Sequence, residues 1–156
     1  MTATHDDWAP GDPELAETLP SRYYYDAKIF AREREKIFLK CWHLAAHHNE
    51  LAEPGQFVTV EVFDQSVLVV RGRDGVVRAF HNVCQHRGNR LVAERRGRVP
   101  AVFRCSYHAW DYSLDGSLRN APRSERVKGF DRSCTGLQPV RIEPVPGLPS
   151  LNLDPK

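Results

Sequence analysis

Two short runs, Cys84-Gln85-His86 and Cys105-Ser106-Tyr107-His108, constrain this chain more than any other feature. Each carries one thiol and one imidazole, and 18 residues separate them. Each pair follows a strand-like pattern and opens a tight loop, so two hairpin loops can present two sulfurs and two imidazoles to one point. Donors of that softness and number point to a metal centre. Two kinds stay open: tetrahedral zinc, and a [2Fe–2S] cluster in which two histidines replace two cysteines on one iron. Zinc modules favour C-x2–4-C with H-x3–5-H, which C-x-H with C-x-x-H fits poorly.

The rest of the chain predicts a small, mainly β fold. With 156 residues there is room for one domain or two small ones. Pro10, Gly11, Pro13 and Pro20 mark 1–20 as an extended lead-in, and 21–48 reads as a helical segment beginning at an Asp26 N-cap. Ile29, Phe30, Ile37 and Phe38 share one side of that helix, so it is expected to pack on something. From Phe57 the period changes to two: Val58, Val60 and Val62 point one way, Phe57, Thr59, Glu61 and Phe63 the other. Val67–Arg71 and Val76–Phe80 read as a hairpin around Gly72-Arg73-Asp74-Gly75. Val102–Arg104 and Trp110–Leu114 are further strands, with a tight turn at Asp115-Gly116 and another strand at Pro139–Glu143. Pro149 would remove a ladder hydrogen bond, so 148–151 is not expected to be a regular strand.

Charge and leader patterns exclude several classes. Residues 1–70 carry 6 basic and 12 acidic side chains, whereas 71–128 carry 13 and 5. That basic middle suits an acidic protein partner, nucleic acid or only a solvated face, and nucleic acid is the weakest of these because no such motif accompanies it. The densest apolar run is Val67-Leu68-Val69-Val70, too short to span a membrane. The acidic start, Met1-Thr2-Ala3-Thr4-His5-Asp6-Asp7, is unlike a secretory signal, so a cytoplasmic protein is expected. Four cysteines in that compartment argue for metal or redox chemistry before disulfides.

C-x-H-R-G followed by C-x-x-H-A-W resembles the Rieske [2Fe–2S] domain in its ring-hydroxylating-oxygenase form. The resemblance runs through Leu19-Pro20, Tyr24-Tyr25, Glu35, Phe38, Trp42, Phe80-His81-Asn82-Val83-Cys84 and Tyr107-His108-Ala109-Trp110, and looks like the N-terminal part of an oxygenase α-subunit. It implies a Rieske-type antiparallel β-sandwich over 49–145 with two cluster-binding hairpin loops and an N-terminal helix. The tail 146–156 then stands where an oxygenase catalytic domain would begin. It also implies that Cys84 and Cys105 hold one iron and His86 and His108 the other. Trp110 is expected to pack beneath the loops.

In that family such a domain passes electrons from a reductase or ferredoxin to the mononuclear iron of an oxygenase catalytic domain or subunit, acting on aromatic rings or quaternary-ammonium compounds. The alternatives are a stand-alone Rieske ferredoxin and, from another class, a zinc-stabilised binding module. Quinol-oxidising relatives carry two further cysteines that join the loops; the matching positions here are Asn89 and Tyr107, which places the chain with the low-potential oxygenases. Cys41 is expected to pack at the helix end and Cys134 to be a free loop thiol. His43 and His47, spaced i, i+4, are expected to be core or surface histidines although the spacing allows one helical face. No 2-His-1-carboxylate set is visible, so the chain alone is expected not to oxygenate substrate.

Overall fold

The computed structural model describes residues 18–145 and 147–154. All but the end of the lead-in expected over 1–20 lies outside these residues. The chain divides into two compact units, 1–38 and 39–156.

In the first unit, Ser21–Tyr24 form a 3-10 turn and Ala27–Lys36 form α1. Asp26 caps it, its carboxylate accepting from the Lys28 N–H at 2.7 Å, while Arg34 and Lys36 sit at the negative end of the helix dipole. The helix is where the apolar period puts it, and Ile29 on its apolar side is half-buried. No residue of α1 is fully buried, and Phe30 is 51% exposed.

The second unit is antiparallel β throughout. Its strands are β1 His43–Leu44, β2 Gln56–Val62, β3 Gln65–Arg71, β4 Val77–His81, β5 Arg96–Arg98, β6 Val102–Arg104, β7 Asp111–Ser113, β8 Leu118–Asn120, β9 Pro139–Val145 and β10 Leu148–Asn152. Seven of them form one sheet in the order β1-β10-β9-β4-β3-β2-β5, and β6-β7-β8 form a second. The β3–β4 hairpin pairs Arg71 with Val77 around the expected turn, and Gly75 supplies the positive φ of +78°.

The apolar run in β3 fails to alternate because both faces of the large sheet are covered. Leu68 and Val70 enter one core with Phe80, Phe103, Trp110 and Tyr112, where the small sheet packs. Val67 and Val69 enter the other with Val58, Ala79, Val140 and Leu151. Strand β2 is likewise enclosed at its start, Phe57 going to the first core and Val58 to the second.

One local reading is corrected, and two details are added. Residues 148–151 do form a strand: Pro149 lies opposite Pro144, so two residues without N–H face each other, and the Pro149 carbonyl still accepts from the Ala45 N–H at 2.9 Å. His43 and His47 share no helical face, since His43 lies in β1 and His47 caps a 3-10 turn at His48–Leu51. The short edge strand β5, unmarked by any apolar alternation, pairs with β2 and lays Gly97 against the Phe57 ring. No helix among the described residues is long and apolar enough to cross a membrane.

Candidate metal centre

The loops after β4 and β6 are one turn built twice. In the first, the Gly88 N–H donates to the Cys84 carbonyl at 3.0 Å, and the Cys84 N–H donates to the Asn89 carbonyl at 2.8 Å. In the second, the Ala109 N–H donates to the Cys105 carbonyl at 3.0 Å, and the Cys105 N–H donates to the Trp110 carbonyl at 2.8 Å. The fifth residue of each turn is left-handed, Gly88 at φ +68° and Ala109 at +55°. Glycine takes that conformation freely; alanine adopts it at a cost of roughly 1 kcal/mol.

The turns set both sulfurs inside the first core, Cys84 1% and Cys105 2% exposed. His86 and His108 are half-buried beside them, their ring centroids 4.7 Å apart at 78°. Trp110, expected as packing beneath the loops, is buried and stacks flat on His86 at 4.7 Å and 11°. A depression of about 770 Å³ opens at the imidazoles, bordered by Tyr107, Trp110, Val127 and Phe130.

Each sulfur is surrounded by donors. The Tyr112 hydroxyl lies 3.3 Å from Cys84 Sγ and accepts from the Gln85 N–H at 2.9 Å. Burial, then the bond to Cys84, pushes the phenol above its usual range. Burial likewise pushes the Cys84 thiol up, and it lies within hydrogen-bond reach of Cys105. At Cys105 burial acts in the same sense, but backbone N–H groups of Tyr107 and His108, with bonds from Cys84 and Asn89, outweigh it and the thiol is lowered. Burial, then the charges of His108 and Arg87, holds His86 below its ordinary value, which favours the neutral ring a ligand needs.

His108 Nδ1 is buried and has no hydrogen-bond partner. Leaving such an atom unsatisfied costs about 1–3 kcal/mol, a cost that ligation to a metal removes. The residues thus fit a soft metal group. Their donors come as a sulfur pair and an imidazole pair; among the described residues no three His, Cys, Asp or Glu side chains gather to hold a single ion.

Asn82 holds the foot of the first loop, a role unremarked in its sequence motif. Fully buried, it donates to the Val92 carbonyl at 2.7 Å and to Ser66 Oγ at 3.1 Å, and accepts from the Val92 N–H at 2.9 Å. The sequence motifs do not mark Tyr112 and Asn89 as neighbours of the sulfurs either. Tyr112 had one visible signal, its place two residues after Trp110 in an alternating strand. Arg87 is exposed, Cys41 Sγ lies 3.6 Å from His43 Nε2, and Cys134 is an exposed free thiol.

A family model described as the Rieske [2Fe-2S] domain matches residues 41–131. The carnitine monooxygenase oxygenase subunit of Escherichia coli (strain K12) is 44% identical over 144 residues, covering 92% of this chain and 38% of that protein. The glycine betaine monooxygenase oxygenase subunit of Pseudomonas aeruginosa (strain UCBPP-PA14) is 39% identical, covering 87% and 31%. Among solved structures, a quaternary ammonium Rieske monooxygenase in complex with L-carnitine superposes with a TM-score of 0.84 at 38% identity, covering 89% of this chain and 39% of that one. Naphthalene 1,2-dioxygenase from Rhodococcus sp. gives 0.83 at 31%, covering 88% and 32%. The chain therefore spans less than two fifths of the length of each of these relatives.

Proposed function

Because the chain belongs to the Rieske [2Fe–2S] domain family, whose cofactor is the Rieske-type cluster, we propose that Cys84 and Cys105 hold one iron of that cluster and His86 and His108 the other. The observation that carries this is the orphaned, buried Nδ1 of His108 beside two buried thiols. The family's [2Fe–2S] cofactor, and a C-x-H with C-x-x-H spacing that fits zinc modules poorly, favour two irons over one zinc ion. When bound, the cluster supplies reversible electron transfer at a potential above that of all-cysteine clusters.

The protein's own groups set how that is used. Cys84 and Cys105 must lose their protons to ligate; the donors about Cys105 favour that state, whereas at Cys84 burial opposes it. Trp110, flat against His86, fixes that imidazole's plane. The buried sulfurs and half-exposed imidazoles make the histidine edge the route by which electrons enter and leave. Replacing His108 by Ala opens one iron position, and the expected outcome is loss of iron and of visible colour. A variant with full iron and an unchanged spectrum would overturn the ligand set, and a colourless wild-type protein holding zinc would favour the binding module.

For the whole protein we infer an oxygenase whose α-subunit uses this domain to carry electrons from a reductase or ferredoxin to a mononuclear-iron catalytic domain. The carnitine and glycine betaine relatives favour a quaternary-ammonium substrate over an aromatic ring. The donor is expected to be acidic, because 71–128 carry a net charge of +8 around the loops. Charge-steered docking is screened over about 8 Å at physiological salt, so reduction by the cognate donor should slow as salt rises. A rate indifferent to salt would refute the steering.

A further inference from the structure

No second pair of cysteines joins the loops, Asn89 and Tyr107 standing at those positions, yet one side chain crosses from the first loop to the second. Asn89 Nδ2 lies 3.8 Å from Cys105 Sγ, within reach of an N–H to sulfur bond. The same amide nitrogen donates to the Arg90 carbonyl at 2.8 Å, which fixes the amide's orientation: its NH2 end, not its oxygen, faces the sulfur. The Asn89 main-chain carbonyl meanwhile receives the Cys84 N–H at 2.8 Å. One residue therefore touches the turn of one cysteine and the sulfur of the other, and its two amide hydrogens are both accounted for.

We propose that Asn89 is a positioning residue for the cluster, a non-covalent tie between the two loops whose side-chain N–H to Cys105 raises the reduction potential. This rests on Cys105 being an iron ligand. Adding one electron to the cluster makes its sulfurs more negative, so a donor aimed at Cys105 Sγ stabilises the reduced form more than the oxidised one. Tyr112 does the same for Cys84, so each cysteine sulfur has one side-chain donor from outside its own turn.

The test is an equilibrium redox titration of the cluster-loaded protein, with iron content measured in parallel. Asn89→Leu keeps the bulk and removes the donor, while the main-chain carbonyl that holds Cys84 remains. The equilibrium constant for one-electron reduction is expected to fall about fivefold, or about 40 mV at 59 mV per tenfold change. Asn89→Gln, which retains an amide donor, should recover at least half of that shift, and the reduced Leu variant should lose one exchangeable-proton coupling in its magnetic resonance spectrum after transfer to D2O. A Leu variant that loads iron and titrates at the wild-type potential would overturn the proposal. Should it fail to load, Asn89→Asp carries the same test: it removes the donor and adds negative charge, so a potential equal to or above wild type refutes the tie. If the wild-type protein takes up no iron, the ligand reading itself fails instead.

Discussion

Replacing Asn82 with leucine should destabilise the domain by about 3 kcal/mol and loosen the first cluster loop. The side chain is fully buried, and leucine keeps its branched outline with bulkier methyl ends, so no cavity opens and any crowding adds to the cost. The Val92 N–H would lose its buried acceptor, at about 1–3 kcal/mol. The Val92 carbonyl keeps a bond from Arg90 Nε at 3.1 Å, so losing the Asn82 amide there costs only about 1 kcal/mol. Ser66 Oγ still reaches Glu61 at 2.9 Å and adds little. For a domain of this size, about 3 kcal/mol corresponds to a fall in Tm of roughly 10 °C. Circular dichroism and bleaching of the visible cluster band, followed side by side on heating, provide the assay. Bleaching should accelerate, because Asn82 pins the base of the loop that carries Cys84 and His86. A Tm within about 3 °C of wild type, with unaltered bleaching, would refute the clamp.

Tyr112→Phe removes the hydroxyl beside Cys84 Sγ; a differential loss of about 1 kcal/mol should lower the potential by about 40 mV, read by the same redox titration, and a rise would contradict the donor role. Arg104 bonds both oxygens of Asp111, at 2.7 and 2.8 Å, and this holds the Asp111 carboxyl below its ordinary value. The folded state thus binds that proton more weakly than the unfolded one; the stabilisation is complete above the ordinary carboxylate value of about 4 and is lost as pH falls through the depressed folded one. Asp111→Asn should flatten that acid limb of stability against pH and cost about 1 kcal/mol at neutral pH, small because Arg104 is 65% exposed. Gly88→Ala meets open space, so only its φ opposes it, at about 1 kcal/mol, whereas Gly116→Ala adds a Cβ 2.4 Å from the Phe80 ring and should cost clearly more in urea unfolding.

What could be read from the sequence was local or chemical. The β3–β4 hairpin is marked by glycines at its turn, and the four donor residues by spacing that suits few other purposes. What escaped was held by distant partners. Residues 148–151 carry a proline that argues against a strand, and only the opposing Pro144 and the nearby Ala45 N–H make it acceptable. Edge strand β5 presents no apolar face, so no periodicity announces it. Asn82, Asn89 and Tyr112 act through bonds across loops, which leave no trace in composition. The helix lies where its apolar spacing puts it, and none of its described residues is fully buried.

The pairing of β1 with β10 joins His43 to Leu151 across roughly a hundred residues of chain, the kind of contact that forms slowly and late. Hairpins such as β3–β4 and the small sheet β6-β7-β8 can assemble as soon as they leave the ribosome, but the large sheet stays open until β9 and β10 are made. Until Pro139 emerges, the outer edge of β4 at Ala79 and Phe80 has no neighbour, and bare strand edges pair readily with other chains. Newly made copies of this protein therefore pass through a sticky stage, and the yield of correctly folded domain depends on how quickly the last two strands arrive.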